Sequence, residues 1–146
     1  MPELPEVETT KRGIERLLKY KTVQGTIVRQ YKFRQPISRN IGNILKCQTL
    51  KTVSRRAKYL LFNFTDGTLI IHLGMSGSLR VVSPTAPKEK HDHVDILFND
   101  NLCLRFRDPR RFGLVIWTKR DPLKHKLLKN CGPEPLTQQF SAIYLK

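Results

Sequence analysis

The chain has 146 residues, a length that fits one domain, and a hydrophobic content of 39% is enough to build a core. Its 27 lysines and arginines against 12 aspartates and glutamates give a formal charge of +15. Such a surplus favours a polyanionic partner, nucleic acid first among them. An anionic membrane surface, an acidic protein and a merely solvated basic face remain as alternatives. No stretch reaches the roughly 20 apolar residues of a transmembrane helix.

The three cysteines, Cys47, Cys103 and Cys131, are odd in number and far apart. This spacing favours free, buried and inert thiols in a reducing cytosol over disulfides or a zinc site. The N-terminal segment is acidic and contains prolines, unlike a signal peptide. We therefore expect a cytoplasmic protein, interpreted as a monomer that does not associate with membranes.

A helix is predicted near the N-terminus, from Pro5 to Leu18. Apolar residues fit one helical face, and glutamates come early while lysines and arginines come late, which complements the helix dipole. The apolar positions are Val7, Ile14, Leu17 and Leu18.

Eight short segments rich in β-branched and aromatic residues follow at the spacing of strands. They are Thr22–Arg29, Thr49–Arg55, Tyr59–Phe64, Thr68–Leu73, Gly77–Val82, Val94–Phe98, Leu102–Phe106 and Leu114–Thr118. Thr65–Gly67 and Asn99–Asn101 are predicted turns, and Asp121–Lys129 is a predicted short helix with Pro122 at its first position. The pattern predicts one mainly β domain, an eight-stranded antiparallel β-sandwich flanked by an N-terminal helix and a second short helix.

Pro2 follows the initiator Met1, and methionine is normally removed before a small residue such as proline. The processed chain would carry a secondary amine at Pro2, and an α-amino group titrates near pH 8. Such an amine attacks an aldehyde-like carbon, for example C1′ of a sugar, and forms an iminium. A retained Met1 would turn the Pro2 nitrogen into a tertiary amide and block this chemistry. In isolation, a proline at the second position is common and indicates nothing.

Two carboxylates, Glu3 and Glu6, lie within about one helical turn of Pro2. Carboxylates near an amine can move protons during imine formation and sugar ring opening. The alternative is that both are ordinary acids at the start of a helix, where they complement the dipole.

A glycine-containing turn carries the exposed candidate Met75. Gly74 and Gly77 allow a sharp tip that directs Met75 outward, where its side chain can wedge into a stack of bases. A core methionine is the alternative interpretation. The preceding residue His72 belongs to the same strand-to-turn unit.

A second turn lies in RDPRRFG, residues Arg107–Gly113. Arg110 and Phe112 are two positions apart between a proline and a glycine, which suits a loop that presents both on one side. Phe112 could then wedge beside an unpaired base, and Arg110 could hydrogen-bond the edge of that base.

His91 and His93 flank Asp92, but no third histidine or cysteine is placed to complete a metal site. We therefore expect no metal in this chain. His93 and Asp95 are interpreted as structural residues.

Several strings resemble one family, and they run in family order from residue 2 to about residue 145. They are PELPEVETTKRGIE, RRAKYLLF, IIHLGMSGSLR, KHDHVD, RDPRRFG and GPEPL. The chain thereby resembles formamidopyrimidine-DNA glycosylases, the Fpg side of the Fpg/Nei family, which remove oxidised purines from DNA. The resemblance implies a base-excision-repair glycosylase and abasic-site lyase that acts on 8-oxoguanine and formamidopyrimidines in duplex DNA by β,δ-elimination.

The resemblance also implies roles for particular residues. Pro2 would displace the damaged base and form a Schiff base with C1′. Glu3 would carry the proton at the sugar, and Glu6 would be a secondary acid or a structural support. Lys58 would contact a phosphate at the lesion and assist catalysis, although an ordinary exposed lysine is the alternative. Arg55 and Arg56 would be general phosphate contacts or solvated charges. DNA contacts are implied for His72, Met75, His91, Arg110 and Phe112.

Members of this family continue with a helix–two-turn–helix segment and a four-cysteine zinc finger. This chain has no C-x-x-C pair, so we expect structural zinc only in a C-terminal part that lies outside it. Residues 1–146 are interpreted as the N-terminal catalytic domain, a fragment with reduced or no activity.

Three alternatives stay open. A Nei-type glycosylase would prefer oxidised pyrimidines, although LPEVE and the trio Met75, Arg110 and Phe112 favour the purine branch. A non-catalytic DNA-binding module would bind duplex DNA in a salt-sensitive way without covalent chemistry. A basic β-domain for RNA is the weakest, because the chain lacks an RNP-type aromatic pattern.

Overall fold

The computed structural model describes residues 4–119. This part of the chain contains two helices and eight strands. In chain order they are α1 (Leu4–Leu18), β1 (Val23–Val28), α2 (Ile41–Leu45), β2 (Leu50–Arg56), β3 (Tyr59–Phe64), β4 (Thr68–His72), β5 (Ser78–Val82), β6 (Asp92–Phe98), β7 (Leu102–Arg107) and β8 (Leu114–Thr118).

The strands form two four-stranded sheets in which every pairing is antiparallel. The first sheet has the order β1-β6-β7-β5 and the second has the order β2-β3-β4-β8. The connections β4 to β5 and β7 to β8 both pass from one sheet to the other. The predicted eight-stranded antiparallel sandwich is therefore confirmed, and β3 and β8 have the predicted bounds.

The core lies between the sheets and follows the period of two that strands impose. Along β3, Leu60, Phe62 and Phe64 enter the main core, whereas Leu61 belongs to a separate small cluster with Ile70. Phe64 stacks on Phe98 of the first sheet, with ring centroids 6.5 Å apart. Burial of such large apolar side chains is the main stabilising contribution to the sandwich.

Helix α1 contacts β2 at the edge of the second sheet and β5 at the edge of the first. Its buried residues are Val7, Ile14 and Leu18, which fall on one narrow stripe of a helix with 3.6 residues per turn. The prediction that Leu17 shares this face was wrong, because it lies about 100° from Leu18 around the axis and is 43% exposed.

A short helix that the pattern did not predict, α2, packs against β1 through buried Ile41 and Leu45. The predicted second helix, Asp121–Lys129, lies outside the described residues.

The cysteine prediction holds for Cys103, and burial raises the pKa of its thiol to about 11. Cys47 is also a free thiol, but its expected burial was wrong, because it is exposed. Cys131 is outside the described range.

Candidate nucleic-acid interface

The strand registers bring several chain reversals to one end of the sandwich. Tyr59 pairs with His72, and His72 pairs with Leu114, so the ends of three strands of the second sheet coincide. Arg107 likewise pairs with both Ser78 and Asp92 in the first sheet. We call this the loop end. It consists of residues 57–58, the Met75 loop (residues 73–77), residues 90–91 and the Arg110 loop (residues 108–113).

The Met75 loop and the Arg110 loop lie directly against each other. Gly74 has a φ of 64°, and a Cβ on it would lie 2.8 Å from the backbone nitrogen of Gly113. A Cβ on Gly113 would in turn lie 2.6 Å from the carbonyl oxygen of His72. Only glycine fits at such close approach. The two loops therefore pack backbone to backbone.

The carboxylate of Asp108 connects the same two loops. Asp108 is fully buried. Its Oδ1 accepts a hydrogen bond from Ser76 Oγ at 3.0 Å, and its Oδ2 accepts one from the Gly113 amide at 2.8 Å. Ser76 Oγ also accepts a hydrogen bond from the Arg110 amide at 3.3 Å. One side chain thus holds both loops from the inside.

The outward side of these loops carries large side chains. Met75 is 47% exposed and Phe112 is 46% exposed, and Arg110 is also exposed. The alternative of a core methionine is excluded by this exposure. Large exposed apolar side chains on two loops that pack together favour a contact surface over a packing role, although their roles toward DNA remain predictions.

His72, the last residue of β4, has an uncommon electrostatic environment. Its Nδ1 accepts a hydrogen bond from the Gly74 amide at 2.9 Å, so in the neutral ring the proton is on Nε2. Burial, the largest cause, and the positive charges of Arg34 and Lys58 together lower the pKa of His72 to about 4. At neutral pH it is an uncharged donor beside two cations.

Lys58 lies in the two-residue turn between β2 and β3 and is partly exposed. Arg34 was missed by the sequence analysis, because the segment between β1 and α2 showed no periodicity or motif. The Arg34 amide donates to the carbonyl of Arg111 at 3.1 Å. A groove of about 350 Å³ runs beside it. Its lining residues are Lys32, Phe33, Arg34, Arg110, Arg111 and Phe112.

Ion pairs and hydrogen bonds fix the direction of α1. Glu8 pairs with Arg55 at 3.0 Å, and Glu15 accepts a hydrogen bond from the Val53 amide at 2.8 Å. Glu8 precedes Glu15 in α1, whereas Arg55 follows Val53 in β2. Helix α1 therefore runs antiparallel to β2, and its N-terminal end points toward Lys58. Burial alone would raise the pKa of Glu8, but the hydrogen bonds from Arg55 and Arg12 lower it below its usual value.

Arg55 was predicted as a phosphate contact or a solvated charge. It is buried and ion-paired with Glu8, so that prediction was wrong, and its function is to attach α1 to β2. Glu6 lies exposed in the first turn of α1. The predicted residues Pro2 and Glu3 lie outside the described range.

His91 immediately precedes β6, and its carbonyl accepts a hydrogen bond from the Asp108 amide at 3.1 Å. His93 packs edge-on against Phe33 with centroids 5.7 Å apart. Burial lowers the pKa of His93, and a hydrogen bond between His93 and the Asp108 backbone acts in the opposite direction. Asp95 binds Arg105 at 2.9 Å and Arg29 at 2.7 Å. His93 and Asp95 therefore have the structural positions expected of them.

Residues 4–119 contain no group of three or more histidine, cysteine or acidic side chains that could hold a metal. A four-cysteine zinc site does not fit the cysteines within this range, because Cys47 is exposed while Cys103 is buried in β7. The helices in this range include none that could cross a membrane.

Comparison with known proteins gives consistent results. The family described as formamidopyrimidine-DNA glycosylase N-terminal domain matches residues 1–115. The formamidopyrimidine-DNA glycosylase of Geotalea uraniireducens is 52% identical over 99% of this chain and 54% of its own length. The chain thus spans about half the length of the curated relatives it matches.

Solved structures of Lactococcus lactis Fpg resemble this chain as well. A complex with DNA that contains N7-benzyl-Fapy-dG superposes with a TM-score of 0.84 at 34% identity, covering 94% of this chain and 51% of that one. A complex with DNA that contains an abasic site has the same TM-score and identity, and it covers 94% and 52%.

Proposed function

Because the chain belongs to the formamidopyrimidine-DNA glycosylase family through its N-terminal domain, we propose that it serves in base-excision repair as the nucleophile-bearing half of the enzyme. The partner is duplex DNA with an oxidised purine, such as 8-oxoguanine or a formamidopyrimidine. One observation carries this proposal. Two exposed apolar tips, Met75 and Phe112, lie on interlocked loops in the same region as the cations Arg34, Lys58 and Arg110.

The cations suit a phosphate backbone, and the apolar tips suit a gap in a base stack. Lys58 and Arg34 neutralise phosphates, and the Nε2–H of His72 adds an uncharged donor. His91 contacts a further phosphate. When the damaged nucleotide leaves the helix, Met75 and Phe112 occupy the space, which offsets an unstacking cost of a few kcal/mol. Arg110 then binds the edge of the base left without its partner.

The covalent chemistry begins at Pro2 after removal of Met1. The unprotonated Pro2 nitrogen attacks C1′, a C–N bond forms, and the glycosidic bond to the base breaks. Glu3 carries protons at the sugar during ring opening, with Glu6 and Lys58 assisting. The resulting iminium makes the C2′ proton acidic, so the 3′ phosphate and then the 5′ phosphate leave by β- and δ-elimination. No step needs a metal, and the family's structural zinc belongs to its C-terminal part.

The test is borohydride trapping with the complete gene product on a duplex that contains 8-oxoguanine. Borohydride reduces the iminium to a stable amine, so we expect a covalent protein–DNA adduct on denaturing gels. A variant that retains Met1 is the matched control and should bind DNA without forming an adduct. Replacing Pro2→Gly should likewise spare binding while sharply lowering base excision.

Each alternative predicts a different outcome. DNA binding with no adduct from the processed protein would favour a non-catalytic binding module. A protein that cuts thymine glycol duplexes and leaves 8-oxoguanine intact would belong to the pyrimidine-specific branch. We place the protein with the bacterial chromosome in the cytoplasm, where this substrate occurs.

A further inference from the structure

Asp108 is the residue in which the parts of the loop end meet. Its carboxylate reaches the Met75 loop through Ser76 and the Arg110 loop through Gly113. Its backbone amide holds the carbonyl of His91 at 3.1 Å, and its carbonyl accepts a hydrogen bond from Arg111 at 3.2 Å. A buried carboxylate costs free energy unless its lone pairs are satisfied, and each oxygen of Asp108 has a donor.

We infer that Asp108 is a positioning residue that holds the tips of the two loops, Met75 and Phe112, in one fixed relative arrangement. Recognition of a gap in the base stack depends on that arrangement. This inference rests on the proposed function, because it explains how a void would be detected. It assigns to Asp108 no contact with DNA, since its side chain is fully buried beneath the loops.

The physical reason is that a gap left by one nucleotide is small and has a definite shape. Two side chains on independent loops would each lose conformational freedom on entering it. Loops that are already held together lose less conformational freedom, and the two apolar side chains then enter the gap as one unit. The Ser76 hydroxyl connects the two loops, because it donates a hydrogen bond to Asp108 and accepts one from the Arg110 amide.

The experiment measures the ratio of affinities for two duplexes, one with a tetrahydrofuran abasic analogue and one undamaged. Ser76→Ala removes the link while leaving the Asp108 carboxylate in place, and we expect the ratio to fall about fivefold. Asp108→Asn places an NH₂ group against one of two donors, and we expect a fall of about twentyfold. Binding to the undamaged duplex should change less than about twofold, since phosphate contacts dominate it.

Matched controls come from the other parts of the molecule. Ser83→Ala deletes a hydroxyl that bonds Thr85, and Asp66→Asn changes a carboxylate that accepts from Gln48. Both should keep the wild-type ratio. The double variant S76A/D108N should lose no more than D108N alone, because both changes break one connected network. Additive losses, or a folded D108N with the wild-type ratio, would overturn the inference.

Amide hydrogen exchange tests, without DNA, whether the Met75 loop and the Arg110 loop are held together. In S76A the amides of both the Met75 loop and Arg110 should exchange faster, while S83A leaves them unchanged. Faster exchange in one loop only would also overturn the inference. If the wild-type protein shows no preference for the abasic duplex, the proposed function fails, and the exchange measurement still decides whether Asp108 couples the loops. Since S76A removes only the hydroxyl of a partly exposed residue, it stays informative even where D108N does not fold.

Discussion

The two ends of this sandwich use polar and apolar side chains in opposite ways. At the end away from the Met75 loop, which we call the hairpin end (turns 65–67 and 99–101 with the neighbouring segments 19–22 and 46–49), polar side chains of one turn bind those of another. Gln48 and Asp66 exchange two hydrogen bonds of 2.9 and 3.0 Å. The Thr22 amide donates to Asn99 Oδ1 at 3.0 Å, and Lys21 forms an ion pair with Asp100.

At the loop end this arrangement is reversed. The polar groups of Asp108 and Ser76 point inward and bind the loops themselves, while Met75 and Phe112 point outward. The hydrogen bonds there hold the two loops together, whereas those of the hairpin end join one turn to another. The difference teaches that the same fold joins its turns to one another at one end and leaves large apolar side chains exposed on connected loops at the other. Variants that affect the two ends unequally can test this comparison.

The largest effect is expected from adding a methyl group at a tight turn of each end. In Gly77→Ala the new Cβ would lie 2.2 Å from the Leu73 carbonyl oxygen, and in Gly67→Ala it would lie 2.7 Å from that of Thr118. Both should lower the free energy of unfolding by about 2–4 kcal/mol in denaturant titrations. Only G77A should also lose the preference for abasic over undamaged duplexes.

Gly13→Ala is the control for this pair, because nothing lies within 4 Å of its new Cβ and alanine favours a helix by up to about 1 kcal/mol. An equal loss of lesion preference in G67A and G77A would mean that general instability weakens binding, and the two ends would not be functionally distinct.

A smaller effect is expected from Arg110→Ala, which removes an exposed cation of the Arg110 loop. The proposed edge contact of Arg110 with the opposite base would be worth about 1–3 kcal/mol, so discrimination between cytosine and adenine opposite 8-oxoguanine should weaken by that amount. Steady-state excision from the two duplexes measures it. Lys51→Ala, an exposed cation on β2, should leave the discrimination unchanged. A wild-type preference in R110A would remove Arg110 from this role.

The smallest effect concerns pH. The pKa of His72 is lowered from 6.5 to about 4 in the folded chain, mainly by burial. The unfolded chain therefore binds the proton more readily than the folded chain does. The stability that neutral His72 contributes to the folded chain is fully present above about pH 6.5 and is lost as pH falls toward 4. Because His72 is only partly buried, we expect a loss of the order of 1 kcal/mol between pH 7 and pH 5.

His72→Gln keeps a polar side chain at this position and should show a smaller loss over the same interval in thermal melts. The carboxylates with lowered pKa values, Glu8 and Asp95, act at lower pH and are present in both proteins. Identical pH dependence of the two proteins would contradict the assigned shift.

Local pattern was sufficient for much of this molecule. The strands were predictable because alternation and turn residues are local properties, and β3 and β8 begin and end where the pattern places them. Helix α1 was predictable from its periodicity. Helix α2 was missed because five residues, Ile41–Leu45, are too few to show a period, and such a short helix is stable only through packing on β1.

The site was predictable in part. Met75 and Phe112 stand beside glycines in recognisable turns, and the family resemblance suggested the roles proposed for them, for Lys58 and for His91. Arg34 was missed because it lies far from the other candidates along the chain, in a segment without regular structure. Arg55 was misjudged because a basic residue in a basic string gives no sign that it is buried beside Glu8.

The sequence by itself determined the strand pattern, the surplus of positive charge, the family, and the candidate residues carried by contiguous motifs. Only the tertiary structure decided which of these residues share a place. Pairing registers bring turns that are 30 or more residues apart to one end; the Ser76–Asp108 hydrogen bond, for example, spans 32 positions. Burial and partner choice are set by elements distant in sequence, so local composition could not distinguish the structural Arg55 from the exposed Arg110.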